Sequence, residues 1–263
     1  MRKTLEVPPM DPTTPAKSRR KGIYLLPNLF TTGTLFGGFY AIVQAMGGRF
    51  EAAAAGILAA MVADGLDGRI ARLTNTQSDF GKEYDSLCDM VAFGVASAIV
   101  VYAFSLHHFS DYKWLGGKLG WAMAFLYCAC AALRLARFNV LTAIAGSSKD
   151  FFGLPSPSAA ATVVFFVWAA HSWGLDGNDA LIPASLITIG CALLMVSNIR
   201  YASFKQIKLS RRGPFLYMVL FIGIFTLILI NPPNVLFWGF FGYTLSGPAL
   251  TLWRRYRRTP ETV

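Results

Sequence analysis

The sequence predicts an all-α integral membrane protein with about eight transmembrane helices. Three observations lead to this fold class. Of the 263 residues, 54% are hydrophobic and only 14% are charged, whereas about 25% of a soluble domain is charged. Several charge-free stretches reach the roughly 20 residues that a helix needs to cross a bilayer. The formal net charge of +10 accompanies this apolar content, which favours basic segments beside a membrane over a nucleic-acid partner.

Most spans can be placed by the absence of charge. Four stretches contain no Asp, Glu, Lys or Arg and are long enough, namely 22–48, 90–110, 153–175 and 180–199. A fifth stretch, 213–253, is twice as long as one span, and Asn231-Pro232-Pro233-Asn234 interrupts it. Pro-Pro flanked by Asn is typical of a turn. This stretch therefore predicts two helices joined by a tight hairpin.

Two further spans carry charges. Residues 50–73 are rich in Ala and Gly but include aspartates and arginines near their end. Residues 119–133 form a span if Arg134 and Arg137 lie at its end. The complete set of predicted helices is 25–46, 50–73, 83–107, 117–139, 158–174, 180–199, 214–230 and 234–253.

The basic residues predict the orientation. An even number of spans places both termini on one side, and the basic segments 17–21, 200–212 and 254–258 all fall on that side. The opposite side has only Arg49, Lys113 and Lys118. Because Lys and Arg concentrate in cytoplasmic loops, both termini are expected in the cytoplasm.

The predicted organisation has four parts. Residues 1–21, with four prolines and no apolar run, predict a disordered basic cytoplasmic tail. A main transmembrane domain is expected over 22–212, a C-terminal transmembrane hairpin over 213–253, and a second basic cytoplasmic tail over 254–263. Lys205 and Arg211 can attract anionic lipid headgroups, or they can merely set the topology.

An acidic cluster is the strongest functional signal, because ionisable residues inside a span are functional candidates. Residues three or four positions apart share one face of a helix. One face of the second span therefore carries Asp64, Asp67, Gly68 and Ala71. The third span presents Gly81, Asp85 and Asp89. The joining loop, 74–80, is short, so the two spans are antiparallel neighbours and the four carboxylates are expected to converge in the cytoplasmic half of the membrane.

The chemistry of such a cluster points to metal ions. Four carboxylates in a low dielectric repel one another, and two divalent cations would neutralise them. Aspartate oxygens without His or Cys suit Mg²⁺ or Mn²⁺, and paired metals of this kind typically serve phosphoryl transfer. Alternatively, a carboxylate at a helix end can meet interfacial water and pair with Arg69, Arg72 or Lys82. Four aspartates on two converging stripes favour the metal site.

Written with its spacing, the pattern from Asp64 to Asp89 is Asp-x2-Asp-Gly-x2-Ala-Arg-x8-Gly-x3-Asp-x3-Asp. It resembles the CDP-alcohol phosphotransferase family at every fixed position. The resemblance implies an enzyme that moves a phosphatidyl group from a CDP-linked lipid to an alcohol and releases CMP. It also implies that 22–212 is a catalytic transmembrane domain with a six-helix core, to which the last two spans are an addition, and that the protein is a homodimer.

The resemblance further implies roles for the motif residues. Asp64, Asp67 and Asp85 are expected to hold two divalent cations, Mg²⁺ or Mn²⁺. Asp89 is expected to be both a metal ligand and the catalytic base. The residues expected to lie against the CDP group are Gly68, Ala71, Arg72 and Gly81.

Three later motifs are similar to those of the bacterial membrane-type phosphatidylserine synthases. They are Leu-Arg-Leu-Ala-Arg-Phe-Asn (133–139), Phe-Gly-Leu-Pro-Ser-Pro (152–157) and Asn-Ile-Arg-Tyr-Ala-Ser-Phe-Lys (198–205). This similarity implies CDP-diacylglycerol and L-serine as substrates and a location in the bacterial cytoplasmic membrane. Serine carries a carboxylate, so Arg134, Arg137 and Asn139 are candidate serine contacts. Each arginine can instead be an interfacial anchor, and the asparagine a loop cap.

Three other functions stay open at this point. The acceptor of the same reaction can be glycerol phosphate, inositol phosphate or choline. A membrane prenyltransferase also holds Mg-diphosphate with aspartates, but Asp176 and Asp179 fall on the opposite side from the cluster. A cation transporter needs acids along a path across the membrane, and here they gather at one end.

Overall fold

The computed structural model describes residues 25–74, 78–112, 118–145, 153–199, 201 and 214–257. Within these ranges the chain forms eight helices and no strand, so the predicted all-α fold is confirmed. The helices are α1 (Leu25–Met46), α2 (Phe50–Leu73), α3 (Asp79–Phe104), α4 (Leu119–Ala145), α5 (Ser156–Ser172), α6 (Leu181–Val196), α7 (Pro214–Ile230) and α8 (Pro232–Arg257). The predicted N-terminal tail, Lys205, Arg211 and residues 258–263 lie outside the described ranges.

Several helices are long and apolar enough to cross a membrane. By length and composition these are Pro27–Met46, Asp79–Phe104, Leu119–Leu141 and Pro232–Arg254. Leu181–Val196 and Met218–Ile230 are shorter apolar helices. Together they indicate a multi-pass membrane protein.

Helix α5 lies at the centre of the bundle. Every residue from 159 to 170 is buried, and the helix packs against α2, α3, α6 and α8. Helix α8, the last that the structure describes, is therefore in direct contact with the core.

Small residues let α1 and α2 approach closely. A Cβ atom at Gly37 would lie 2.7 Å from the carbonyl oxygen of Gly56, and one at Gly56 would lie 2.9 Å from the carbonyl oxygen of Gly37. Glycine pairs of this kind allow close backbone contact between membrane helices. The contact holds the acidic end of α2 beside the start of α1.

The third helix differs from its predicted range, 83–107. It begins at Asp79 because Ser78 caps its N-terminus: the Gly81 backbone N–H donates to Ser78 Oγ at 3.0 Å. It ends at Phe104 and is followed by a 3-10 turn over Leu106–Asp111. The predicted start was therefore four residues late.

A π-helical segment, Met90–Ala96, interrupts α3 directly after Asp89. A π turn alters the regular backbone pairing, and here the carbonyl of Phe93 accepts a hydrogen bond of 3.2 Å from the Tyr127 hydroxyl on α4. Gly38 of α1 lies against the same segment, since a Cβ atom there would be 2.6 Å from Cα of Ala92. The segment is thus held by both neighbouring helices.

The remaining helix ends differ by a few residues. Asn231 alone separates α7 from α8, because Pro232 occupies the first helical position, where proline is favoured. The predicted hairpin break is confirmed, but α8 starts two residues before 234 and reaches Arg257. Helix α4 starts at Leu119 and continues past the predicted end at 139 to Ala145. Helix α5 starts at Ser156 rather than 158 and ends at Ser172 rather than 174. Helix α6 ends at Val196 rather than at 199, because the backbone of Ser197 is extended.

Candidate active site

Three of the predicted metal ligands meet where the end of α2 faces the start of α3. Asp64, Asp67 and Asp85 each offer one carboxylate oxygen, and these oxygens all lie within 4.8 Å of one another. Asp89 follows Asp85 by one turn of α3 and is not part of this close group. Its carboxylate still interacts electrostatically with the other three. The helical spacing of the motif therefore brings the four acids into one region.

Helix α1 also contacts this cluster, which lies between α2 and α3. The Thr31 hydroxyl donates a hydrogen bond to Asp67 Oδ2 at 2.9 Å, and Asp67 is only 5% exposed. At the next residue, Thr32 Oγ1 lies 3.0 Å from the hydroxyl of Tyr84 on α3. These contacts position the acidic ends of α2 and α3 against α1.

Several carboxylate oxygens at the cluster have no protein partner. Oδ1 of Asp85 and Oδ1 of Asp89 are buried and accept no hydrogen bond from any described residue. In the described part of the chain the one contact within salt-bridge distance joins His108 Nδ1 and Asp111 Oδ2 at 3.5 Å, so pairing of the clustered aspartates with nearby Arg or Lys residues is not seen there. A buried carboxylate without a partner is costly. This all-oxygen donor set fits hard divalent cations.

A cavity of about 480 Å³ opens beside the cluster between α1, α2 and α3. All four predicted CDP contacts line it: Gly68, Ala71, Arg72 and Gly81. Asp67 and Asp85 also line it, whereas Asp64 and Asp89 do not. The cavity is therefore bounded by six residues of the motif and adjoins the acidic cluster.

The sequence analysis missed part of this wall. The additional lining residues are Pro27, Asn28, Thr31, Ser78, Asp79 and Lys82. Asn28 and Thr31 are polar residues three positions apart in an apolar first span. That spacing on one helical face was an available signal.

Gly68 and Arg72 shape the wall of the cavity. A Cβ atom at Gly68 would meet only Arg72 Nη2, at 3.9 Å, so the space beside this glycine is open. The Nε of Arg72 donates to the Gly68 carbonyl oxygen at 2.7 Å. The guanidinium is thereby held along the wall, where it can meet an anionic group.

Arg134, a predicted serine contact, lies within electrostatic range of the acidic cluster. Its guanidinium interacts electrostatically with Asp64 and Asp89. Nη1 donates to Ser156 Oγ at the start of α5, at 2.6 Å, and Nε is buried without a hydrogen-bond partner among the described residues. A cation next to the carboxylates is suited to bind the anionic part of an acceptor.

The other two predicted serine contacts lie farther along α4. Arg137 donates from Nη2 to Asn198 Oδ1 at 2.6 Å and from Nη1 to the Val196 carbonyl oxygen at 3.4 Å, at the end of α6. Asn139 donates from Nδ2 to Ser86 Oγ of α3 at 3.0 Å. The motif at 133–139 therefore contacts the beginnings or ends of three neighbouring helices.

Gly153 explains part of the second motif. Its φ of +82° is in the left-handed region, and a Cβ atom there would lie 2.3 Å from the Met195 carbonyl oxygen. The Gly153 N–H donates to the Ile199 carbonyl oxygen at 2.9 Å. The entry to α5 is thereby fixed on the end of α6, close to Arg137 and Asn198.

Comparison with known proteins agrees with this site. The family model for CDP-alcohol phosphatidyltransferases matches residues 24–196, a segment that contains α1 to α6. The acidic motif, the cavity and the Arg134 region all lie within it. The C-terminal hairpin lies beyond it.

Individual relatives cover most of the chain. A protein of Helicobacter pylori (strain ATCC 700392 / 26695) named CDP-diacylglycerol–serine O-phosphatidyltransferase is 39% identical over 81% of this chain and 85% of its own length. A Mycobacterium leprae protein of the same name is 31% identical over 85% of this chain and 73% of its own length. An archaetidylserine synthase of Methanothermobacter thermautotrophicus is 36% identical over 67% of this chain and 69% of its own length. The resemblance drawn from the acidic motif is confirmed, and the chain belongs to the CDP-alcohol phosphatidyltransferase family of enzymes.

Proposed function

We propose that this enzyme transfers the phosphatidyl group of CDP-diacylglycerol to the hydroxyl of L-serine, producing phosphatidylserine and CMP. The observation that carries the proposal is the meeting of Asp64, Asp67 and Asp85 beside a cavity that the four predicted CDP contacts line. The choice of serine is supported by the names of the relatives, which include two serine O-phosphatidyltransferases and an archaetidylserine synthase.

The donor set described above supports two divalent cations, Mg²⁺ or Mn²⁺, held by Asp64, Asp67, Asp85 and Asp89. Such ions, when bound, offset the negative charge of phosphate oxygens and orient the reacting groups. The orphaned carboxylate oxygens of Asp85 and Asp89 are the observation behind this assignment.

The residues of the chain then have distinct tasks. Gly68, Ala71 and Gly81 leave room for the CDP group, and Arg72 meets one of its phosphates. Asp89 accepts the proton of the serine hydroxyl. At the same time the hydroxyl oxygen of serine forms a bond to the phosphorus that carries diacylglycerol. The bond from that phosphorus to the CMP oxygen breaks, and CMP leaves with the electron pair. A base within reach of the attacking hydroxyl is the requirement for this step.

The acceptor is proposed to bind on the α4 side of the cluster. Arg134, Arg137 and Asn139 remain the candidate serine contacts. Arg134 is favoured because its guanidinium interacts electrostatically with Asp64 and Asp89, and because an arginine fork binds a carboxylate well.

The distribution of basic residues supports a location in the bacterial cytoplasmic membrane, with both termini and the active site facing the cytoplasm. The proposal also includes anionic lipids as surface partners of the basic segments and a homodimer, which the family resemblance implies.

The test is CMP release by the purified full chain with CDP-diacylglycerol, Mg²⁺ or Mn²⁺, and each of four alcohols: serine, glycerol phosphate, inositol phosphate and choline. Serine is expected to support turnover, and Asp89→Asn is expected to abolish it without loss of folding. Near-normal activity of Asp89→Asn would contradict the role of Asp89. If another alcohol supports turnover and serine does not, that alcohol is the acceptor instead of serine.

A further inference from the structure

Two contacts between α3 and α4 lie on either side of Asp89. A Cβ atom at Gly94 would be 3.4 Å from Cβ of Ala131, and Nδ2 of Asn139 donates to Ser86 Oγ at 3.0 Å. Moving along α3 from Ser86 to Gly94 therefore corresponds to moving back along α4 from Asn139 to Ala131, so the two helices are antiparallel here. The residues of α4 between these contacts lie near the level of Asp89.

Arg134 is in this interval, on the face of α4 that is turned towards α3. It follows Ala131 by three positions and Tyr127 by seven, which places all three on one helical face. Ala131 packs on α3 as described, and the Tyr127 hydroxyl donates to the Phe93 carbonyl oxygen of α3 at 3.2 Å. The geometry therefore brings the Arg134 guanidinium to the side of the acidic cluster that α4 covers.

The hydrogen bonds of Arg134 leave one edge of its guanidinium for a ligand. Nη1 donates to Ser156 Oγ at 2.6 Å. Nε is buried, and no described residue accepts a hydrogen bond from it. A buried donor without an acceptor is costly, whereas a carboxylate can bind the Nε–Nη2 edge through two parallel hydrogen bonds. The anionic group of an acceptor would thus supply what the protein does not.

Ser156 occupies a position that is fixed independently of α4. It is the first residue of α5 and only 1% exposed. Pro155 and Pro157 on either side of it restrict the backbone. Just before them, the buried Leu154 donates its backbone N–H to the Leu194 carbonyl oxygen of α6 at 3.0 Å. The hydroxyl that binds Arg134 is therefore anchored by the end of α6.

We propose that Ser156 is a positioning residue for the reaction. By accepting the hydrogen bond from Nη1, it orients the Arg134 guanidinium so that the Nε edge binds the carboxylate of an amino-acid acceptor beside Asp89. Ser156 itself does not touch the acceptor. This inference rests on the proposed transfer to serine and deepens it, because it names the group that sets the direction of the cation.

The test compares Ser156→Ala with the unmodified full chain in detergent. Because the guanidinium loses the acceptor that orients it, the KM for serine is expected to rise about tenfold, while kcat and the KM for CDP-diacylglycerol change little. The matched control is Ser185→Ala. It also removes a buried serine hydroxyl, but one whose bond, 2.6 Å to the Leu181 carbonyl oxygen, stays within α6. This control is expected to leave the ratio of the two KM values unchanged.

A second variant, Ser156→Cys, nearly preserves the volume of the side chain and offers only a weak acceptor. It is expected to raise the serine KM as Ser156→Ala does, and thermal unfolding shows whether each variant is folded. A change in the serine KM below twofold in either folded variant, or an equal rise in both KM values, would overturn the inference.

A double-mutant cycle separates positioning of Arg134 from simple packing. Lysine is a point charge without a planar fork to orient. In an Arg134→Lys background, Ser156→Ala is therefore expected to raise the serine KM much less than it does in the unmodified chain. Additive effects of the two substitutions would show that Ser156 does not act through Arg134.

The same assay distinguishes this failure from failure of the proposed function. If serine supports turnover and both Ser156 variants have the serine KM of the unmodified chain, only the role of Ser156 is wrong. If another alcohol replaces serine, or if no alcohol releases CMP, the serine assignment and this inference both fail.

Discussion

The Thr31 hydroxyl donates a 2.9 Å hydrogen bond to Oδ2 of the buried Asp67 carboxylate. Thr31 belongs to α1, which carries no residue of the acidic motif, whereas Asp67 lies near the end of α2. The bond thus fixes the orientation of one carboxylate from outside its own helix. Partners of this kind behind a metal ligand commonly set how well the metal binds.

Thr31→Val removes this bond with little change in shape. The concentration of Mg²⁺ or Mn²⁺ needed for half-maximal CMP release is expected to rise by about 10- to 100-fold, the usual effect of losing such a partner. The matched control is Thr34→Val, since Thr34 is also buried between α1 and α2 but its hydroxyl reaches the Ala60 carbonyl oxygen, at 3.4 Å. An equal metal requirement in the two variants would show that the bond to Asp67 is not important.

Gly68→Ala and Gly65→Ala form a second matched pair on α2. Both replace a helical glycine and should stabilise the helix by a similar amount, about 1 kcal/mol. Gly68 lines the cavity, whereas a Cβ atom at Gly65 would meet nothing within 4 Å. Only Gly68→Ala is expected to raise the KM for CDP-diacylglycerol, by severalfold, in steady-state assays of CMP release. A rise of similar size in Gly65→Ala would point to an effect on the helix instead of the cavity.

Metal binding should be visible without turnover. Because a ligand that binds the folded state stabilises it, adding Mg²⁺ or Mn²⁺ to metal-free protein is expected to raise its thermal unfolding temperature. The increase should be much smaller in Asp85→Asn, which removes a member of the carboxylate group. Asp111→Asn serves as the control, since Asp111 lies next to His108 in another part of the chain. Chelation is expected to stop CMP release, and restored metal to recover it.

The hydrogen bond from Tyr201 to Thr244 can be tested through Pro248, which lies inside α8. The Tyr201 hydroxyl donates to the Thr244 carbonyl oxygen at 3.0 Å, and Pro248, four residues later, has no backbone N–H to donate there. Tyr201→Phe leaves the Thr244 carbonyl without its donor and is expected to cost about 1–3 kcal/mol of unfolding free energy. In a Pro248→Ala background, the backbone N–H of residue 248 can donate to the same carbonyl. The cost of Tyr201→Phe should then be clearly smaller, as measured by denaturation in detergent. Equal costs in both backgrounds would mean that the proline is irrelevant to this bond.

The sequence was sufficient for the helices and for the acidic cluster because both depend on local spacing. Charge-free length predicts a span, and steps of three and four residues place Asp64 with Asp67 and Asp85 with Asp89 on single faces. The short connection between α2 and α3 then brings the two faces together. Both properties depend on residues that are close in sequence, so they can be predicted without knowing how the helices pack.

Features that depend on contacts between distant segments were not predicted. The bond from Thr31 to Asp67 requires the close α1–α2 contact through Gly37 and Gly56. The contact of Tyr201 with Thr244 joins residues that are 43 positions apart. No periodicity within one segment encodes such pairs, although a proline inside a predicted span does indicate a carbonyl in need of a donor.

The π-helical turn at Met90–Ala96 makes the residue count of α3 matter to the chemistry. Such a turn accommodates one residue more than an α-helical turn. Deleting a single residue there is expected to restore regular α-helix and to leave Asp85 and Asp89 in nearly the same direction relative to the buried Val100 and Val101. Inserting one more residue there is expected to rotate the two carboxylates by about 100° relative to those valines, away from α2. An apolar stretch of sequence thus sets the helical phase between the acids and the core, and one residue more, but not one fewer, is expected to be as damaging as loss of an aspartate.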